Sequence, residues 1–372
     1  MTPMNLTRED LQRMLEQREP VTVLDIRRAA SRADWFIPGS LHVDVYDQVG
    51  RGDTSGLDDV DLPTGEPVVV VCEMGVTSAI AAAHLRERRG LDARSLQGGM
   101  LAWSVAWNVA EVPLPGTEAT VLQIRRTGKG CLSYLVGSRS EAGVIDPSLP
   151  PAIYLDLARA RGWTIVAVFD THIHADHLSR ARRLARDAGA ELYLPEQDRA
   201  HFPFRPLRDG EAVEIGGSRL EALHTPGHTL ESVSYLLGGL AVFTGDTLFT
   251  GAVGRPDLEA GAGEAARRHA EALHDSLGRL FGLPSETRVL PGHASEPIAF
   301  DGSPIAATAA EVAARVRIGD RDAFGRQLLE RLPPPPDNHQ AILFYNESGT
   351  WPEEGWERLE SGANRCAATL NA

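Results

Sequence analysis

Thr171-His172-Ile173-His174-Ala175-Asp176-His177 sets three imidazoles and a carboxylate within six consecutive positions, directly after the apolar run 164–169. Such a cluster is costly to bury unless a cation neutralises it, and imidazole and carboxylate are ordinary ligands of divalent metals. With 12 histidines in 372 residues, chance rarely puts three of them into so short a window. Working outward, His224-Thr225-Pro226-Gly227-His228 follows the strand-like run 219–223, Gly245-Asp246-Thr247 follows 240–244, and Pro291-Gly292-His293 follows 288–290. Each group of candidate ligands stands just past a short apolar run, where a loop leaves a sheet edge. Loops carried on rigid strands can bring ligands from distant positions to one point. The pattern predicts one metal centre fed by four loops.

The rest of the chain sets limits. A length of 372 residues predicts two domains, because single cores stop growing near this size. Hydrophobic content of 42% and charged content of 24% are those of a soluble globular protein. No apolar stretch approaches a membrane span, and Met1 to Arg8 lacks the basic-then-apolar pattern of a secretory signal, so a cytoplasmic location is expected. A net charge of −14 argues against nucleic acid or an anionic membrane as partner. Arg180, Arg182, Arg183 and Arg186 are a local exception, read as the solvated face of the helix after the metal loop. Cys72, Cys131 and Cys366 are far apart and odd in number, which fits a reducing compartment rather than a disulfide framework. Cys131 reads as a small buried residue of a first strand, and Cys366 as a residue without a catalytic role. A homo-oligomer is the usual expectation for a soluble enzyme of this size. The Pro/Gly-rich segment 113–117 is expected to link a first domain, 1–112, to a second, 118–372, and a proline run, Pro333 to Pro336, interrupts the C-terminal region.

In the first domain Val68-Val69-Val70-Val71 reads as a buried strand ending at Cys72-Glu73-Met74-Gly75-Val76-Thr77-Ser78, with an alanine-rich helix following over 79–88. A thiol between a strand end and a helix start faces free backbone N–H groups and the positive end of the helix dipole. Both favour thiolate, and Gly75 lets the loop curl so that several amides point inward as an anion cradle. These words, with Leu24-Asp25-Ile26-Arg27, Ile37-Pro38-Gly39-Ser40-Leu41, Gly98-Gly99 and Trp103, resemble the rhodanese family of sulfurtransferases over residues 1–112. The resemblance implies a parallel sheet with flanking helices, a persulfide carried on Cys72, and a cradle of Glu73, Met74, Gly75, Val76 and Thr77. Many active rhodaneses have arginine where Thr77 stands, which removes a positive charge expected to help bind thiosulfate.

The ordered set HxHxDH, HTPGHT, GD and PGH resembles the metallo-β-lactamase superfamily over about 118–300, which implies an αβ/βα sandwich with its metal site along one edge. Within it, Gly245 to Leu258, Gly130 to Leu135 and Leu332 to Pro336, beside a rhodanese-like neighbour, resemble the persulfide dioxygenase (sulfur dioxygenase) group. That resemblance implies one Fe(II) per chain held by His172, His228 and Asp246. His174, Asp176, His177 and His293 would then orient these ligands or hold a second metal. It further implies oxidation of a low-molecular-weight persulfide, such as glutathione persulfide, by O₂ to sulfite and thiol. Sulfane-sulfur transfer on Cys72 would be coupled to it, with thiosulfate or sulfite as further partners. Arg255 is the candidate cation for substrate carboxylates, with pairing to Asp257 as its alternative. The same ligand list also fits a dinuclear zinc thioesterase of the hydroxyacylglutathione hydrolase type, and the spacing alone leaves both readings open.

Overall fold

The computed structural model describes residues 4–261, 263–332, 334–336, 338–362 and 364–370. Met1 to Pro3, part of the N-terminal reading, and Pro333 of the proline run lie outside the described residues. The first unit is a five-stranded parallel sheet in the order Asn5–Leu6, Ala93–Leu96, Val68–Val71, Thr22–Asp25, Leu41–His42. Its central strand, Val68–Val71, is buried throughout, as a valine run covered on both faces must be. Val68 and Val70 pack with Leu24 and Leu85 on one side, and Val69 and Val71 with Leu11 and Trp103 on the other.

The second unit is two packed sheets. One has seven strands in the order Arg205–Leu207, Glu191–Pro195, Thr164–Phe169, Glu141–Ile145, Leu132–Ser138, Thr120–Arg125, Asn108–Val112. The other has six: Ala212–Ile215, Ser218–His224, Val233–Leu237, Ala241–Gly245, Arg288–Pro291, Ala307–Thr308. Period-two alternation divides each strand between two cores. Tyr134, Val136, Phe169, Tyr235, Phe243 and Leu290 meet between the sheets. Leu135 and Val168 instead face Tyr154 and Leu184, on the helices Pro151–Ala160 and Ala181–Ala188. Val242 and Val289 face Leu273 and Leu277 of the helix Glu264–Phe281. Helices thus cover both outer faces, giving the expected αβ/βα sandwich.

The segment 113–117 is not a linker between the units. Asn108–Val112 pairs antiparallel with Thr120–Arg125, so the Pro/Gly stretch connects neighbouring strands of one sheet. A proline-rich break marks a turn within a sheet as readily as a boundary. The chain leaves the first unit after the helix Gly99–Trp103. There the units are in tight contact: Trp35 Nε1 donates to the Thr127 carbonyl at 3.1 Å, and Arg126 Nε to the Ser104 carbonyl at 2.7 Å. A Cβ on Gly128 would lie 1.8 Å from the Trp103 carbonyl oxygen, so only glycine fits that approach.

Candidate functional site

The strands Thr164–Phe169, Ser218–His224, Ala241–Gly245 and Arg288–Pro291 coincide closely with the apolar runs of the sequence. The loops after them converge. Five buried ligand atoms make no hydrogen bond there: His172 Nε2, His174 Nδ1, His177 Nε2, His228 Nε2 and Asp246 Oδ2. Leaving such atoms unpaired costs about 1–3 kcal/mol each, more for a charge, so their convergence suits a bound cation. His172, His228 and Asp246 can each offer one ligand atom within 4.8 Å of the others. Asp246 Oδ2 lies 3.9 Å from His172 Nε2 and 3.7 Å from His228 Nε2.

These ligands are held from behind. The Thr171 hydroxyl donates to Asp146 Oδ2 at 2.9 Å and therefore accepts from His172 Nδ1 at 2.9 Å, which leaves the Nε2 lone pair free. His228 Nδ1 donates to the Arg255 carbonyl at 2.8 Å, with the same result. Burial, with the nearby His174 and His228, holds His172 well below its ordinary pKa, in the neutral form that binds metals. Burial pushes the Asp246 carboxyl up, but His293, His172 and His228 outweigh it and keep the group ionised. A Cβ on Gly292 would meet Asp246 Oδ1 at 2.7 Å, so glycine lets the Pro-Gly-His loop approach the ligand.

Asp176 and His293, by contrast, are closed on their neighbours. His293 Nε2 lies 2.9 Å from Asp176 Oδ2, His177 Nδ1 lies 3.0 Å from Asp176 Oδ1, and His293 Nδ1 lies 2.5 Å from Asp246 Oδ1. Burial works against a charged His293, yet Asp176 and Asp246 raise its pKa well above the ordinary value. His174 rests against Asp146, with Nε2 3.2 Å from Oδ1. Cys131, expected as a plain buried residue, is buried but belongs to this group. Its Sγ lies 3.5 Å from Asp176 Oδ2 and 4.0 Å from His177 Nδ1. Burial and Asp176 raise its pKa, but His177 and His293 outweigh them and bring it down to about 6. Cys366 is buried beside Asp246 and His293, a placement its distance along the chain concealed.

The C-terminal segment fastens the metal loop. Asn346, on the helix His339–Ser348, donates to the carbonyls of His174 and His177, both at 2.8 Å. Glu360, fully buried, accepts from Leu178 N at 2.7 Å, pairs with Arg180, and lies 2.8 Å from Arg126 Nη2. Arg180 therefore departs from the solvated face expected of it, because it caps the helix on the side facing Glu360, whereas Arg182, Arg183 and Arg186 are exposed. Arg255 is also corrected. Its guanidinium is buried and bidentate on Asp257, with Nε–Oδ1 2.7 Å and Nη2–Oδ2 2.9 Å, and Nη1 donates to the Pro334 and Arg365 carbonyls. Its charge is committed to Asp257, so it is not the cation for a substrate carboxylate.

In the first unit Cys72 ends the valine strand and the helix Val76–Arg89 begins four residues on. Gly75, at φ +83°, turns the loop inward. Cys72 Sγ accepts from the backbone N–H groups of Gly75 at 3.2 Å and Ser78 at 3.3 Å, and the Ser78 hydroxyl stands 3.2 Å away. Of the expected cradle, Gly75 supplies an amide, whereas the Met74 and Val76 side chains face solvent and Thr77 is buried. Ser78, one position past it, completes the ring of donors. The Asp-Ile-Arg signature is a buried ion pair, Arg27 Nη2–Asp25 Oδ2 2.7 Å, which also ties Arg27 to the Trp35 carbonyl.

Fold and sites together define a two-part protein, with a cysteine-loop α/β unit ahead of a metal-binding αβ/βα sandwich. Residues 7–106 match the rhodanese-like domain and residues 126–293 the metallo-beta-lactamase superfamily. The crystal structure of ETHE1 from Myxococcus xanthus is 31% identical, covering 62% of this chain and 98% of that one, with a TM-score of 0.53. A metallo-beta-lactamase structure from Staphylococcus aureus subsp. aureus COL is 27% identical over 64% of this chain and 75% of that one, with a TM-score of 0.57. Hydroxyacylglutathione hydrolase from Rhodospirillum rubrum is 36% identical over 43% of this chain, and the match spans 60% of that relative's length. The chain belongs to the metallo-beta-lactamase superfamily and carries an N-terminal rhodanese domain.

Among the described residues, no helix is long and apolar enough to cross a membrane.

Proposed function

We propose that the protein is an iron(II)-dependent persulfide dioxygenase that oxidises a low-molecular-weight thiol persulfide by O₂ to sulfite and thiol, with Cys72 handling sulfane sulfur. The balance is RSSH + O₂ + H₂O → RSH + SO₃²⁻ + 2H⁺. One observation carries the reading. His172 Nε2, His228 Nε2 and Asp246 Oδ2 are unpartnered and mutually close, whereas Asp176 and His293 spend their ligand atoms on each other, on His177 and on Asp246. Two imidazoles and one carboxylate suit a single ferrous ion with open positions, and the closed group acts as a support. Iron(II) would supply the redox chemistry by which O₂ oxidises a sulfur placed beside it. The residues themselves fix the two imidazole tautomers. The likeness to the ETHE1 structure fits this reading, and the hydroxyacylglutathione hydrolase relatives fit the second one equally.

The second reading, a dinuclear zinc hydroxyacylglutathione-type hydrolase, draws on the hydrolase relatives and on the further unpartnered atoms His174 Nδ1 and His177 Nε2. Metal analysis of anaerobically purified protein separates the two. We expect about one iron per chain, the count a single facial triad holds, with oxygen uptake on glutathione persulfide. Two zincs with thioester hydrolysis would defeat the proposal.

Cys72→Ser is expected to abolish turnover that starts from a sulfane-sulfur donor while leaving oxygen uptake on preformed persulfide intact. Stopped assays with each substrate check this, and equal loss on both would refute the division of labour.

A further inference from the structure

Lys129 is only 3% exposed, yet among the described residues its ammonium makes no hydrogen bond or ion pair. It borders a cavity of about 210 Å³ that reaches Asp176 of the metal-centre cluster. A second cavity, of about 390 Å³, lies against Glu73 and Met74 of the Cys72 loop. Asp34, Ser361 and Gly362 line both cavities, so the two adjoin across the boundary between the units. The two carboxylates that line this cavity are already matched. Asp34 is held by Arg365 at 3.0 Å, and Asp176 by His177 and His293. The Lys129 stem is packed while its ammonium opens on the cavity without a counter-charge, where an anion from outside would meet it.

We propose that the joined cleft binds one anionic carrier thiol for both centres, with a carboxylate or phosphate of that thiol on Lys129. The cavity on the metal side, at about 210 Å³, is by itself smaller than the usual ligand site, whereas the joined pair falls within the usual range. A thiol bound there lies between the Cys72 loop and the metal-centre cluster. In the transfer step the carrier thiolate bonds to the outer sulfur of a Cys72 persulfide. The bond from that sulfur to Sγ breaks and its electron pair returns to Sγ, with no net oxidation. The inference rests on the proposed function for the identity of the carrier as a persulfide-bearing thiol. Thiol binding itself, however, needs no oxygen chemistry.

The test is anaerobic calorimetric titration of the metal-loaded full chain with glutathione, glutathione diethyl ester and coenzyme A. The two acids distinguish a carboxylate from a phosphate ligand. Lys129→Met should weaken binding of the favoured acid by roughly 10–100-fold, the usual effect of one charged hydrogen bond, with Lys129→Arg restoring it. The ester should bind wild type and Lys129→Met alike. In a second assay Cys72 is loaded with sulfane sulfur from inorganic polysulfide. There Lys129→Met should raise the thiol concentration for half-maximal transfer without changing the limiting rate. Equal binding by wild type and Lys129→Met, no binding of either acid, or an unchanged half-maximal thiol concentration would each overturn the shared cleft. Absence of oxygen uptake would count against the dioxygenase and leave this result standing.

Discussion

Asp246→Ala is expected to strip the protein of its catalytic metal and abolish metal-dependent turnover. Residues that merely orient ligands cost roughly 10–100-fold in metal affinity when removed, and Asp246 is placed as a ligand. The change also removes the carboxylate that His293 meets at 2.5 Å, leaving a buried imidazolium with Asp176 as its remaining partner. Asp176→Ala offers the contrast. In a one-metal centre it should retain most of the metal, because it removes a support; in a two-metal centre it should cost one equivalent. Elemental analysis of both variants, with circular dichroism to show that each is folded, reads this directly. Retention of a full complement by Asp246→Ala would refute the ligand assignment.

Glu360→Gln should destabilise the second unit by about 3–5 kcal/mol, the usual cost of breaking a buried ion pair on one side. The glutamine keeps the shape but leaves Arg126 and Arg180 buried without a counter-charge. For a unit of this size that corresponds to a fall in Tm on the order of 10 °C. The pH dependence has a defined sign. Burial pushes the Glu360 carboxyl up, but Arg180 and Arg126 outweigh it and bring it down to about 2, below its ordinary 4.5. A depressed carboxylate contributes stability in full above its unfolded pKa, and that stability is lost as pH falls through the folded value. Wild type should therefore lose this contribution between about pH 4.5 and pH 2, whereas Glu360→Gln should show a flatter profile there. Scanning calorimetry across that range checks both. An unchanged Tm at neutral pH would show that the pair contributes nothing net. Because Glu360 also binds Leu178 N just past the metal loop, the variant should loosen metal binding as well.

Several features were legible because they are local. Four-residue and six-residue apolar runs such as Val68–Val71 and Thr164–Phe169 are buried strands, and the polar residues just past them are loop residues at a sheet end. Cys72 at a strand-to-helix turn with Gly75 is likewise a short-range pattern. The misread features share a different cause. Segment 113–117 has the composition of a linker, but whether a turn joins two domains or two strands depends on the partner of Asn108–Val112. Arg255 carries the same charge whether it meets a substrate or Asp257. Cys131 and Cys366 carry no mark in the sequence that sets them beside Asp176 and Asp246. Lys129 and Glu360 would have needed knowledge of their burial, which no periodicity near them reveals.

The sequence by itself determined the two-unit architecture, the four metal loops and the cysteine loop, because strand ends and turns are set by the side chains within a few positions. Only the tertiary structure decided which ligand atoms stand free and which are closed in hydrogen bonds. That outcome depends on pairs such as Asp176 with His293, 117 positions apart, and Arg180 with Glu360, 180 apart. The chemistry open to the metal follows from those distant pairings, since a donor committed to a neighbouring side chain is no longer available to a cation.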